Sequence, residues 1–166
     1  MIFILAFILL VVSFWKKCWH PLTKYLATMQ YVAICNLFNL VICHDYLLWE
    51  LHSRFMSPIA VELFNSLFLL PISTLIYISL FPEGSFRKQI FYIFKWIMGS
   101  ILIELVFIHF SALHFYHGWG FWVDVVFYCL MYCFIKLHYH HPLITYALSC
   151  IVGYILVRIF DVPISF

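Results

Sequence analysis

A few side chains able to hold a proton or a cation sit inside stretches that are otherwise almost wholly apolar. Glu104 lies in the second half of the run from Ile90 to Ser111. A carboxylate at the centre of a bilayer helix costs roughly 2.5–3.5 kcal/mol on insertion scales, so it is expected to face protein or trapped water rather than lipid. On a helix Ser100 and Ser111 fall within about 40° of Glu104 and form a polar stripe with it. Lys95 and His109 fall on a second stripe, from which Lys95 can snorkel to the headgroups. Glu62, Asn65, Ser66 and Ser73 share a face of another apolar run, Asn36 and Asn39 recur at i, i+3 on a third, and Asp124 opens a fourth. Acids and amides at such positions line proton or ion pathways. They also serve as hydrogen-bonding glue between helices, and the residue types alone leave both roles open.

Other chemistry has weaker support. The spacings His109-x4-His114-x2-His117 and His138-x-His140-His141 loosely resemble the histidine boxes of membrane di-iron desaturases. The charge topology derived below puts the two groups on opposite faces of a bilayer, too far apart for one metal centre. Cys129 and Cys133 at i, i+4 are a conceivable soft-metal pair, but core cysteines are the simpler reading. The six cysteines, Cys18, Cys35, Cys43, Cys129, Cys133 and Cys150, show no CxxC pair and mostly occupy apolar runs, so free thiols are expected. No H-E-x-x-H, G-x-S-x-G or P-loop occurs, so no enzyme class, metal or cofactor is indicated.

The elements that must position these groups follow from composition. Of 166 residues, 66% are hydrophobic, 22% aromatic and 10% charged, against about 25% charged in soluble domains. This is the composition of an integral membrane protein, with room for about six helices of roughly 20 residues in a single all-α domain spanning residues 1–166. The net charge of +2 comes from scattered loop lysines and arginines and does not imply nucleic acid as a partner.

Spans are expected over roughly residues 1–15, 25–42, 58–80, 90–111, 122–135 and 142–157. The first is short, so Trp15–Trp19 is expected to extend it into the interface, and a half-inserted helix remains an alternative. Lys16 and Lys17 follow this run rather than precede it, as in a retained helix and not a secretory signal. Cys43–Ser57 mixes Tyr, Trp and charged residues as an interfacial turn does, and His114–Trp122 reads as an aromatic belt with a glycine turn. Pro71 is expected to kink the third span. Lys136, His138, His140 and His141 read as a loop before Pro142 starts the last helix.

Lysine and arginine then set the sides. With the N-terminus outside, Lys16, Lys17, Lys24, Arg87, Lys88 and Lys136 fall inside, and only Arg54 and Arg158 fall outside. Asn39, Glu62, Asn65, Glu104, His109 and Asp124 then lie in the outer half, beneath His44, Asp45, Glu50, His52, His114 and His117. Convergence of these groups from several helices at one depth is the functional expectation.

Several segments also resemble a known family. Asn36 through Tyr46-Leu47-Leu48-Trp49-Glu50, then Glu62-Leu63-Phe64 leading to Pro71 and Leu80-Phe81-Pro82, are followed by Gly118-Trp119 and by Leu137-His138-Tyr139 with Pro142-Leu143 and Tyr146. This wording, from about Lys24 to Ser149, is similar to that of an uncharacterised family of small polytopic membrane proteins of endospore-forming Gram-positive bacteria. The resemblance implies a multi-pass protein of a bacterial cytoplasmic membrane and brings no activity with it. It draws attention to Glu62, Trp49 and the turn from His138 to Pro142. Two functions are therefore expected: a small permease or channel-like subunit whose acids handle a proton or cation, or a non-catalytic membrane partner whose buried polar groups specify assembly. No internal repeat is evident, so transport by so short a chain calls for a homo-oligomer or a membrane partner in addition to the lipid bilayer.

Overall fold

The computed structural model describes residues 1–53 and 55–163. Arg54, which entered the charge count of the outer segments, lies outside the described residues. The chain forms an all-α bundle: α1 Ile2–Trp15, α2 Leu22–Ile42, α3 Pro58–Ser79, α4 Phe86–His109, α5 Phe121–His140 and α6 Pro142–Ile159. Two short strands, β1 Trp49–Leu51 and β2 Leu113–Phe115, complete it. The five helices α2–α6 are each long and apolar enough to cross a membrane, and the protein is a multi-pass membrane protein. The 14 residues of α1 rise only about 21 Å, short of the roughly 30 Å hydrocarbon thickness.

The helix ends have local causes. After α1, Lys17 takes a left-handed conformation (φ 55°) while the Lys17 and Cys18 amides donate back to Phe14 and Ser13. This is a Schellman stop, in which a left-handed residue turns the chain off the helix and satisfies its last carbonyls. It corrects the expectation that Trp15–Trp19 lengthens the helix. Ser111 (φ 52°) ends α4 in the same way, with the Ser111 and Ala112 amides donating to Ile108 and Phe107. Ser111 therefore leaves the helix and does not share the Glu104 stripe. In α3 the irregularity precedes Pro71: Asn65–Leu69 forms a π turn in which the Leu70 amide donates to the Asn65 carbonyl, five residues back. Proline offers no N–H to the turn before it, and the widened turn takes up the mismatch.

The segment expected to be an interfacial turn contains β1, which pairs antiparallel with β2: Trp49 opposite Phe115, Glu50 opposite His114, Leu51 opposite Leu113. Trp119 is buried beneath this sheet with Cys43, Leu48 and Val162. The opposite end of the bundle carries Lys16, Lys17, Lys24, Arg87, Lys88 and Lys136, and the two ends are called here the sheet end and the lysine end.

A second correction concerns α5, which runs five residues past its expected end and takes Lys136, His138 and His140 into the helix. Lys136 sits there because its ammonium lies 4.1 Å from the centre of the Phe81 ring and 5.6 Å from that of Tyr139, an aromatic rest for a snorkelling cation. The loop to α6 shrinks to His141.

Burial is distributed as the membrane setting requires. Large apolar side chains crowd the surface of α4 and α6, whereas Ser13, Thr28, Glu62, Ser66, Thr74, Glu104, His138 and Thr145 are buried. Of the 24 residues of α4, only Glu104 is buried. A middle layer of Tyr31, Val32, Tyr77, Ile78, Tyr132 and Ile135 ties α2, α3 and α5 together.

Candidate functional site

The polar residues singled out by sequence divide into two places near the sheet end. The first lies between α4 and α5. Glu104 projects from α4 with 3% of its surface exposed, and neither carboxylate oxygen has a hydrogen-bond partner among the described residues. Against it, from the first two turns of α5, stand Asp124 and Tyr128. Asp124 is held from its other side, where the indole N–H of Trp119 donates to Oδ1 at 2.8 Å. Trp119 is fixed in turn by its packing on Trp49, Phe127 and Phe160. One turn deeper, Ser100 Oγ lies 2.6 Å from the Tyr132 hydroxyl. Ser100 and Glu104 are four apart on α4, and Asp124, Tyr128 and Tyr132 are each four apart on α5, so the two helices meet along a seam of acids and hydroxyls.

The second place lies between α2, α3 and β1. The His52 amide donates to Ala112 and the Tyr116 amide to Leu48, at 2.8 and 2.9 Å. With Glu50 in register with His114, residues 48, 50 and 52 turn their backbone groups toward β2, so Leu51 must point its N–H the other way. Glu62 lies on that free edge, approached by the Leu51 amide and the Asn65 side chain. Glu62 Oε1 is buried without a partner among the described residues. Asn36 donates to Ser66 Oγ at 2.7 Å, and Ser66 donates to the Glu62 carbonyl at 2.7 Å, joining α2 to the start of the π turn. Asn36, Asn39, Cys43, Trp49 and Glu62 border a cavity of about 20 Å³. That is room for about one water molecule.

The expected single convergence is therefore two neighbourhoods: Glu62, Asn65, Asn36 and Asn39 in one, Glu104 and Asp124 in the other. His109 joins neither. It is exposed as the last residue of α4, with its ring against Phe110. Above the sheet, the Tyr116 hydroxyl donates to Glu50 Oε2 at 3.2 Å, and His52 Nδ1 lies 3.8 Å from the same oxygen. Desolvation, and then the Glu50 carboxylate, push the Tyr116 phenol above its ordinary range. His117 donates from Nδ1 to the Leu47 carbonyl at 2.8 Å while stacked on Tyr46, and His114 donates from Nε2 to the Ser111 carbonyl at 3.1 Å. Among the described residues no three His, Cys, Asp or Glu side chains gather so as to hold a metal ion. All six cysteines are free, and Cys129 and Cys133 lie on the exposed surface of α5 rather than in the core.

One buried titratable group was misplaced by sequence reasoning. His138, read as a loop residue, is 3% exposed near the lysine end of α5. Its ring stacks on Tyr31 at 4.2 Å, meets Tyr146 edge-on, and places Nδ1 3.1 Å from Thr28 Oγ1. Its position fourteen residues after Asp124, on the same side of a helix, is the signal that locates it. Comparison with protein families, curated proteins and solved structures yields no match to this chain.

Proposed function

We propose that this multi-pass membrane protein handles a proton or small cation through the Glu104–Asp124 pair, as a small permease or channel-like subunit. One observation carries the proposal: in a helix with a single buried residue, that residue is an acid, and both its oxygens lack a hydrogen-bond partner among the described residues. A purely structural acid recovers its insertion cost by accepting hydrogen bonds, and Glu104 accepts none of ordinary geometry. The lysine and arginine bias supports an orientation with the sheet end outside. The resemblance of Asn36–Glu50, Glu62–Phe64 and Leu137–Tyr146 to small polytopic proteins of endospore-forming bacteria supports a place in a bacterial cytoplasmic membrane, and length and composition support one domain over residues 1–166.

A second role draws on the exposed apolar surfaces of α4 and α6, where Glu104 and Thr145 are the only buried residues. Such helices fit lipid, and they also fit another protein. In that role the protein is a non-catalytic partner, and Glu104 supports assembly. The deciding experiment is proton uptake into liposomes containing purified protein under an imposed gradient, for wild type and Glu104→Gln. Wild-type flux lost in a folded variant supports the first role. Tight wild-type liposomes, with a complex or abundance lost in the variant, replace it with the second.

A further inference from the structure

Resting on that reading, we infer that the species handled is the proton, that its route follows α5 from the Glu104–Asp124 pair to His138 at the lysine end, and that Ile135 is the gate between them. The supporting features lie on one side of α5. At 100° per residue, Asp124, Tyr128, Tyr132, Ile135 and His138 fall within a face about 120° wide. Every one of them except Ile135 can donate or accept a proton.

The sheet-end half of this line is in place. Asp124 and Tyr128 stand against Glu104, and the Tyr132 hydroxyl meets Ser100 Oγ at 2.6 Å. The lysine-end half is His138 in its box of Tyr31, Tyr146 and Thr28, with Tyr31 continuing to Ser149 Oγ at 2.6 Å. His138 Nε2 is buried and has no hydrogen-bond partner among the described residues. An imidazole whose Nδ1 is occupied by a hydroxyl and whose Nε2 is free can accept a proton at Nε2 and release it there again, so no oxidant or leaving group is needed. Tyr139, Lys136 and His140 are its nearest ionisable neighbours along α5, Tyr31 and Tyr146 face it from α2 and α6, and Lys24 lies beside Tyr139.

Between the halves, Ile135 is 2% exposed and packs with Val32, Ile78 and Tyr77. Tyr132 and His138 are six residues apart, about 9 Å along the helix, where a hydrogen bond spans about 3 Å. The gap needs water or a side-chain movement, and a packed isoleucine resists both. A hydroxyl and imidazole line of this kind suits protons. A metal cation would need several oxygen ligands together, and beyond the acid pair the line presents its groups one at a time.

The test uses the full-length protein in phosphatidylcholine–phosphatidylglycerol vesicles loaded with a pH-sensitive dye. Ile135→Ser, which adds room and a hydroxyl at the gap, is expected to raise proton flux several-fold. His138→Ala is expected to lose it and to recover it with added imidazole, but not with pyrazole, which has the same size and is far less basic. If His138→Ala does not fold, His138→Gln keeps a partner for Thr28 and is expected to lose flux as well. Flux that vanishes in Glu104→Gln but is unchanged in Ile135→Ser and in the His138 variants overturns this route and leaves the acid pair standing. Absence of flux in wild type and Ile135→Ser alike overturns both.

Discussion

Glu62 and Glu104 are both buried, 7% and 3% exposed, on neighbouring helices at the same end of the bundle, yet their surroundings differ in kind. Glu62 meets backbone: the edge of β1 leaves the Leu51 amide without a partner in the sheet, and the carboxylate lies where that amide points. Glu104 meets another acid and a phenol, and no N–H claims it. The first arrangement completes a fold, because an unpaired buried amide costs about 1–3 kcal/mol. The second leaves a carboxyl able to gain or lose a proton without breaking a structural bond. Depth and residue type are the same in both; what separates them is whether a backbone N–H already meets the carboxylate.

The sharpest test of this contrast replaces each acid by leucine. Glu104→Leu is expected to abolish liposome proton flux while leaving thermal stability unchanged or raised, by up to about 1–3 kcal/mol, since it removes a buried polar group without partners. Glu62→Leu is expected to lower stability by about the same 1–3 kcal/mol, because it strands the Leu51 amide, and to retain flux in whatever protein folds. Opposite signs in detergent melting curves sustain the contrast, and equal losses break it.

Next in size is the support of Asp124. Trp119→Phe keeps the ring packing and deletes the indole donor, at an expected cost of about 1.5–3 kcal/mol for a hydrogen bond to a charged acceptor. Its flux is expected to fall with an altered pH profile, because Asp124 is then free to turn from Glu104. A variant equal to wild type in stability and in pH profile removes Trp119 from the site. Smaller still is Asn36→Leu, which cuts the link to Ser66. Helix-to-helix hydrogen bonds within membranes average about 0.6 kcal/mol, and a loss of that order in a melt, with flux intact, is expected.

Much of this organisation is legible in the sequence, and the gaps have identifiable causes. Each of the expected spans corresponds to a helix because apolar runs bounded by charge need only local information. Glu104 stands out for the same reason, as a lone acid in such a run. The pairing of residues 48–52 with 112–116 leaves no local trace, since neither segment alternates long enough to announce a strand, and the role of Glu62 follows from that pairing. His138 was misread because lysine and three histidines in six residues resemble a loop; Lys136 tolerates a helical site only through Phe81, which lies fifty-five residues earlier. Ser111 shared a calculated face with Glu104, but that geometry ends where the helix does.

The smallest expected effect lies above both acids, at Tyr116. Its phenol is pushed up in the folded protein, first by desolvation and then by Glu50, while the unfolded chain keeps the ordinary value near about 10. The neutral phenol is thus the form that the fold favours. Its contribution is fully present below the unfolded value and is lost as pH rises through the higher folded one. The difference in melting temperature between wild type and Tyr116→Phe, which cannot ionise or bond Glu50, is therefore expected to hold constant from pH 7 to about 10 and to shrink above it. A difference that stays flat above about pH 10 as well shows that the hydroxyl contributes nothing through Glu50. The sheet would then be anchored over Glu62 by its backbone pairing alone, and Glu62 would be the principal polar tie between β1 and the helices.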